Sequence, residues 1–182
     1  KEVFPTQAET LINLYKLDKE FDTGGMQMMG DEIFGVNIRY VARQNEAQGQ
    51  DSYLYHFSRV PPSEKQTLGA FHAAEIPFVF GSYEPILGQS EDDKTLAELI
   101  QNYWVNFAKT GNPNSDGLPG WPKHKGEHWM HLTANTGETS GPMTHIRKAK
   151  IDALEEGLLI NLKALESVQN PQPISGPIVA PN

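Results

Sequence analysis

Cysteine is missing from this chain of 182 residues. Its absence excludes disulfide bridges, zinc–thiolate sites, iron–sulfur clusters and a catalytic thiol. Long apolar runs are missing as well. The longest, residues 76–80, falls far short of the roughly 18 consecutive apolar residues that a membrane-spanning helix needs. The sequence therefore predicts no membrane span.

Basic side chains are scarce, with 15 Lys and Arg against 23 Asp and Glu and a net charge of −8. Nucleic-acid-binding proteins cluster Lys and Arg on one face, and the longest basic cluster here is residues 147–150. An acidic surplus also disfavours docking on anionic membranes. We therefore expect no nucleic-acid partner. The composition suits a periplasmic or secreted protein as readily as a cytoplasmic one.

The N-terminus carries neither an initiator methionine nor the apolar segment of a signal peptide. Hydrophobic residues make up 38% of the chain, which is enough to form a core once the glycines are added. We therefore expect these residues to form part of a longer chain.

Helical spacing of apolar residues is clearest over residues 91–110. Ser90 and Asp93 predict a capping box at the start of this helix, and Gly111 predicts its end. Shorter or weaker patterns predict helices near residues 5–15, from about 26 or 31 to 46, and over 145–167. Residues 22–25 are expected to interrupt the helical pattern before the second of these helices. Its apolar positions are predicted to face the core: Met29, Ile33, Phe34, Ile38, Val41 and Ala42.

Residues 52–57 are almost continuously aromatic or apolar, which is typical of a strand buried in a parallel sheet. A second short strand is predicted over residues 128–132. The alternation of helices and strands indicates an α/β fold, but two strands cannot close a core for this many helices. We therefore expect further strands from sequence outside this chain. Residues 168–182, with four prolines, are predicted to form an extended or disordered tail.

The loop after the first predicted strand carries His72. In open parallel sheets, functional groups gather just beyond the carboxyl ends of the strands. An imidazole with a pKa near ~6.5 can take up and return a proton at neutral pH. A single histidine in such a loop is more often structural or solvated, so its position alone leaves a catalytic role open.

Two longer segments resemble the type-B carboxylesterases, the α/β-hydrolase family that includes the cholinesterases. Residues 69–81 (GAFHAAEIPFVFG) are similar to the segment that carries the catalytic histidine of that family. Residues 104–114 (WVNFAKTGNPN), followed by Trp121 and Pro122, are similar to a second segment, and the two occur in the family's order. The resemblance covers about residues 5–160. It implies that residues 1–167 are the C-terminal portion of one α/β-hydrolase domain, with the last strands and helices of a mostly parallel sheet.

The activity implied by the resemblance is ester hydrolysis through a Ser-His-Glu or Ser-His-Asp triad and an acyl-enzyme, without a cofactor. His72 matches the triad histidine. Glu75 is expected to fix the local backbone rather than to serve as the triad acid, because direct pairing with a residue three positions away is sterically awkward. Phe71 is expected either to border the substrate pocket or to be an ordinary packed phenylalanine.

The remaining triad members are expected upstream of Lys1, because the chain contains no Gly-x-Ser-x-Gly sequence. The N-terminal remainder of the enzyme, in the same or a separate chain, would then supply the serine, the acid and the oxyanion hole. Ala74 stands where cholinesterases carry an aromatic residue, which implies an uncharged carboxylic ester as substrate. An alternative is a family member that has lost its nucleophile and acts as a binding or adhesion module.

The other histidines predict no metal site. His124, His128 and His131, with Glu127, do not follow the spacing of zinc hydrolases, and Gly126 interrupts any helical face there. We expect this segment to be a solvated loop. His56 alternates with aromatic residues on the first strand and is predicted to be a hydrogen-bonded core residue.

Overall fold

The computed structural model describes residues 6–60, 62–65, 67–82 and 90–169, with only the backbone for 166–169. The helices are α1 (Ala8–Tyr15), α2 (Phe21–Gly30), α3 (Val36–Ala47), α4 (Ile76–Phe80), α5 (Glu91–Thr110) and α6 (Lys148–Gln169). A π-helical segment, Asp31–Gly35, joins α2 to α3, and the strands are β1 (Tyr55–Phe57), β2 (His128–Leu132) and β3 (Gly141–Thr144). No helix within these ranges is both long enough and apolar enough to cross a bilayer.

The chain divides into two compact units. Of the described residues, 6–36 and 148–169 belong to the first unit, and those between 37 and 147 belong to the second. In the first unit, the Tyr15 hydroxyl donates a buried hydrogen bond of 2.7 Å to Asp31 Oδ2. The core of this unit is apolar and comes from α1, α6 and the start of α3: Leu11, Tyr15, Val36, Ile151, Ala153 and Leu154.

Gly24 lies inside α2, so the predicted interruption between helices at residues 22–25 is wrong. A Cβ atom at this position would lie 2.0 Å from the carbonyl oxygen of Tyr15 and 3.2 Å from a methyl group of Leu17. The glycine therefore serves close packing of α2 against the end of α1, and its weaker helix propensity is overridden by that contact.

Replacing Gly24 by alanine is expected to destabilise the first unit by about 1–3 kcal/mol, because the new methyl group forces the backbones of α1 and α2 apart. Chemical denaturation of the protein measures the loss. Gly25→Ala is the matched control, since an added Cβ there meets no atom within 4 Å. A Gly24→Ala variant as stable as Gly25→Ala would contradict the close approach.

The apolar side of the long second helical segment is exposed, contrary to the prediction that it faces the core. Ala42 alone among the six predicted positions is buried. Periodicity identifies which residues share a face, but it does not determine whether that face is buried. The exposed positions, with 41–56% of each side chain accessible, are Met29, Ile33, Phe34, Ile38 and Val41.

The second unit contains a three-stranded sheet in the order β1-β2-β3. β1 and β2 are parallel, as predicted, with Tyr55 opposite Met130 and Phe57 opposite Leu132. β1 is however shorter than the predicted strand of residues 52–57, and its three residues are half-buried rather than buried. β3 is antiparallel to β2, and the prediction of only two strands was therefore wrong. The sequence of β3, GPMT, carries a glycine and a proline, which are depleted in strands and tolerated mainly at sheet edges.

Helix α5 begins and ends where its caps predict. The Ser90 hydroxyl accepts from the Asp93 amide while the Asp93 carboxylate accepts from the Ser90 amide, and Gly111 ends the helix with φ +73°. Its apolar face packs against the sheet and α4. The buried cluster formed there contains Phe78, Leu96, Ala97, Ile100, Tyr103, Trp121, Met130 and Leu132.

Helix α6 starts three residues later and ends two residues later than predicted, at Lys148 and Gln169. Ile151 and Leu154 are buried, as their spacing predicts, whereas Leu162 and Leu165 near the far end are exposed. The predicted tail, residues 168–182, lies outside the described residues beyond Gln169.

Candidate functional site

His72 occupies a tight turn in the segment between β1 and α4. The Ala74 amide donates to the Phe71 carbonyl oxygen at 3.1 Å, so His72 and Ala73 are the two central residues of the turn. The His72 side chain is exposed, whereas Phe71 before it is half-buried and Ala74 after it is buried. The turn thus presents an imidazole to solvent from a backbone anchored on both sides.

Ala73 adopts a left-handed conformation with φ +71°. A positive φ at the third residue of a turn is typical of type II geometry, which favours glycine at that place. For an L-residue this conformation costs roughly 1–2 kcal/mol. The backbone beside His72 is therefore held in a strained form by its surroundings.

Ala73→Gly is expected to raise the free energy of unfolding by up to about 1 kcal/mol, because glycine adopts a positive φ without strain. The greater conformational entropy of glycine in the unfolded chain offsets part of this gain. Urea denaturation of the protein measures the change. Ala74→Gly, at the buried neighbour, is the control and is expected to lower stability. A loss of stability in both variants would contradict the strain at Ala73.

Helix α4 follows the turn directly and is fastened to α5. The Gln101 side-chain amide donates to the Phe78 carbonyl oxygen at 3.0 Å. The buried Phe78 ring meets the Phe57 ring of β1 edge to face at 5.2 Å. Gly81 closes the helix with φ +64°. The His72 turn therefore leads into a helix that is packed against both β1 and α5.

Glu75 connects the turn to the sheet. The Tyr55 hydroxyl on β1 donates to Glu75 Oε1 at 3.2 Å. Burial and the neighbouring Glu75 charge raise the pKa of Tyr55 well above its usual value, so the phenol remains the donor. The glutamate thus links its own segment to β1.

An aromatic cluster surrounds Tyr55. Its ring meets Trp104 at 5.3 Å and Trp121 at 6.1 Å, both edge to face, and Tyr103 meets Trp121 at 5.1 Å. A cleft of about 250 Å³ lies beside these rings. It is lined by Asp51, Ser52, Tyr53, Tyr55, Tyr103, Trp104, Phe107, Pro113 and Trp121.

A buried ion pair joins the segment after β1 to the start of α5. Arg59 Nε lies 2.5 Å from Asp93 Oδ1, and Arg59 Nη2 lies 3.1 Å from Asp93 Oδ2. Burial by itself would raise the pKa of Asp93, but hydrogen bonds from Arg59 and Ser90 outweigh it and hold that pKa below its ordinary value. The helix cap is thereby tied to the sheet, a link that the sequence did not reveal.

The segment around His124 is not the solvated loop that was predicted. His124 and Glu127 are buried. Glu127 Oε1 accepts from Arg43 Nη2 at 2.7 Å, and Glu127 Oε2 lies 3.5 Å from Arg39 Nη1. The basic and glycine residues around this segment suggested a surface, but partners on α3 bury it. Within the described part of the chain, no group of three or more His, Asp or Glu side chains is arranged to hold a metal ion.

A second polar network, also missed from the sequence, joins the end of β1 to β2. Ser58 Oγ and His131 Nε2 lie 2.6 Å apart, and Ser58 also donates to Glu138 Oε2 at 3.3 Å. Hydrogen bonds from Thr133 and other neighbours lower the pKa of Glu138. His56 is half-buried and stacks on His131 at 6.0 Å. The network therefore cross-links the two strands.

Comparison with known proteins matches residues 6–153 to the carboxylesterase family. Carboxylesterase 1D of Mus musculus is 33% identical over 152 residues, which are 79% of this chain and 25% of that protein. Liver carboxylesterase of Sus scrofa is 37% identical over 117 residues, which are 61% of this chain and 20% of that protein. This chain thus spans about a fifth to a quarter of the length of the curated relatives it matches.

Among solved structures, the carboxylesterase EST55 of Geobacillus stearothermophilus superposes with a TM-score of 0.57 at 26% identity. The match covers 72% of this chain and 27% of that structure. The mixed sheet and its helices are accordingly a partial α/β-hydrolase fold. With four-fifths of its residues matched by the family model, the chain belongs to the carboxylesterase family.

Proposed function

We propose that this chain supplies the catalytic histidine, His72, of a carboxylic ester hydrolase that acts through a serine triad. Membership of the carboxylesterase family supports ester hydrolysis. The exposed imidazole of His72, on a turn with anchored flanks, is the observation that supports its assignment most strongly. Such a group is accessible to a substrate and to a partner side chain, as a general base must be.

In this proposal His72 moves the proton. Its imidazole takes the proton of the serine hydroxyl as the oxygen attacks the ester carbonyl, and then gives that proton to the leaving alcohol. In the second half-reaction, the same nitrogen activates the water that releases the acid from the acyl-enzyme. No cofactor takes part, since each step needs only proton transfer and acyl transfer.

The neighbours of His72 have supporting roles in the proposal. Glu75 holds the turn through Tyr55 rather than pairing with the imidazole. Phe71, half-buried beside His72, borders the substrate pocket and contributes an apolar wall. Ala74 is small and buried, so this position offers no aromatic face to a quaternary ammonium group. The favoured substrate is therefore an uncharged carboxylic ester.

The N-terminal remainder of the enzyme supplies the other parts of the site. These are the serine on its Gly-x-Ser-x-Gly turn, the acid that orients His72, and the backbone amides of the oxyanion hole. The sequence of 182 residues contains no Gly-x-Ser-x-Gly pattern. The reacting centre is thus assembled from this chain and its upstream partner segment.

Labelling of the complete protein with a fluorophosphonate tests this assignment. We expect hydrolysis of p-nitrophenyl butyrate and a single labelled serine, located by peptide mapping in a Gly-x-Ser-x-Gly sequence upstream of Lys1. We also expect kcat/KM for this ester to exceed that for a choline ester by about tenfold or more. Absence of both labelling and hydrolysis would favour the alternative, a family member that acts as a binding module. A label on Ser58 would contradict the placement of the triad serine upstream of this chain.

A further inference from the structure

Tyr55 contacts the proposed catalytic segment at one point. Its hydroxyl lies 3.2 Å from Glu75 Oε1. The ring that carries this hydroxyl is fixed by Trp104 and Trp121, whose centroids lie 5.3 and 6.1 Å away. The backbone of Tyr55 is fixed by β1, where it lies opposite Met130. The phenol oxygen is therefore a rigid donor that the sheet itself holds in place.

Glu75 is the last residue before α4 and follows His72 by three positions. Its carbonyl oxygen accepts from the amides of Phe78 at 2.9 Å and Val79 at 3.1 Å, so its main chain forms the first turn of the helix. Its side chain, in contrast, accepts the hydrogen bond from Tyr55 on β1. The contact with Tyr55 thus fixes the exact place where the His72 turn joins α4.

We propose that Tyr55 is a positioning residue for His72, acting through its hydrogen bond to Glu75. The bond ties the His72 turn to the sheet and limits the positions that the imidazole can take. This inference rests on the proposed function of His72. Because the phenol pKa is raised, Tyr55 remains a hydrogen-bond donor throughout the neutral pH range.

The turn needs this support because its own geometry is unfavourable. Ala73 is held at φ +71°, and a strained residue persists only where its surroundings determine it. Without the bond from Tyr55, the Glu75 end of the segment loses its side-chain link to β1, and the turn can relax toward less strained forms. Displacement of a catalytic group by about 1 Å costs on the order of 10²-fold in rate.

The test is Tyr55→Phe in the complete protein, assayed with p-nitrophenyl butyrate. Phenylalanine retains the ring and its contacts with both tryptophans and removes only the hydroxyl. We expect kcat to fall by about ten- to a hundredfold while KM changes by less than about twofold, because the loss concerns alignment in the transition state. The control is Tyr53→Phe. The Tyr53 hydroxyl donates to Asn112 Oδ1 at 3.5 Å in an exposed contact, and we expect its removal to leave kcat unchanged.

A double-mutant cycle with Glu75 separates positioning from a purely structural role. Glu75→Ala removes the acceptor, so Tyr55→Phe should have no further effect on kcat in that background. Glu75→Gln retains a side-chain oxygen acceptor and should restore most of the activity that Glu75→Ala loses. This rescue also tests the inference should Tyr55→Phe fail to fold.

Three outcomes would overturn the role of Tyr55 while the wild-type protein hydrolyses the ester. They are a Tyr55→Phe enzyme with kcat within twofold of the wild type, additive losses in the cycle, or no rescue by Glu75→Gln. A wild-type protein that neither turns over the ester nor reacts with fluorophosphonate would instead refute the proposed function. The two failures are thus distinguishable.

Discussion

Replacing His72 by alanine in the complete protein is expected to lower kcat for p-nitrophenyl esters by at least about 10³-fold. Without the imidazole, the serine hydroxyl must lose its proton to water, and the leaving alcohol must depart without a proton donor. KM should change little, because the imidazole contributes to the transition state more than to binding of the ground state. Steady-state kinetics on the purified variant measure both quantities.

His72→Ala should leave the fold intact, since the side chain is exposed and the turn is held by its neighbours. An unchanged melting temperature checks this. His145→Asn is the matched control, because His145 is also exposed and has a positive φ of +59° that asparagine tolerates. Activity of His72→Ala within tenfold of the wild type would contradict the assignment, as would an equal loss in both variants.

Replacing Arg59 by methionine is expected to lower the free energy of unfolding by about 3–5 kcal/mol, since one partner of a buried ion pair is removed and the other remains. The Arg59 and Asp93 side chains are only 10% and 2% exposed. Methionine fills much of the same volume but leaves the Asp93 carboxylate without its guanidinium. Urea denaturation of the protein measures the loss.

The control for this prediction is Lys123→Met, which removes an ion pair of similar length. Lys123 Nζ lies 2.6 Å from Asp51 Oδ2, but both side chains are about half exposed. Water screens such a pair, and its removal should leave stability almost unchanged. An equal effect of the two substitutions would mean that burial of the Arg59 pair contributes nothing.

The same ion pair predicts a dependence of stability on pH. The pKa of Asp93 is lower in the folded chain than in the unfolded chain. Its contribution is therefore fully present above the ordinary carboxyl pKa of about 4 and is lost as the pH falls through the lowered folded value. We expect the wild-type protein to lose more stability than Arg59→Met between pH 5 and the acid limit of folding. Denaturation curves across this range measure the difference.

Local signals predicted the local features of the fold. Helix α5 carries its start and stop signals within its own sequence, and its bounds match them to the residue. The parallel pairing of β1 was predicted from the nearly continuous aromatic and apolar sequence of residues 52–57, although β1 itself is shorter and only half-buried. In both cases the signal lies in residues that are close together in the chain: the caps of α5 at its two ends, and the apolar run of residues 52–57, although the partner strand β2 is distant.

Features that depend on distant partners were missed. Gly24 was interpreted as a residue that interrupts the helix. The reason for a glycine there is its close approach to the Tyr15 backbone, which arises only when α1 and α2 pack together. Glu127 was placed on the surface because its partner Arg43 lies 84 residues earlier. In the candidate site, a motif in the sequence predicted roles for His72 and Glu75. The bond from Tyr55 to Glu75 was not predictable, because it depends on how β1 and the start of α4 pack together.

The parallel pairing of β1 and β2 also governs the order in which the second unit assembles. Ser58 and His131, which bond across the two strands, lie 73 residues apart. Closing so long a loop costs chain entropy before any sheet contact forms, whereas α5 closes its capping box across three residues. We expect α5 to form early and the sheet late. Since the His72 turn lies within the loop that this pairing closes, we expect it to acquire its final geometry in one of the last steps of folding.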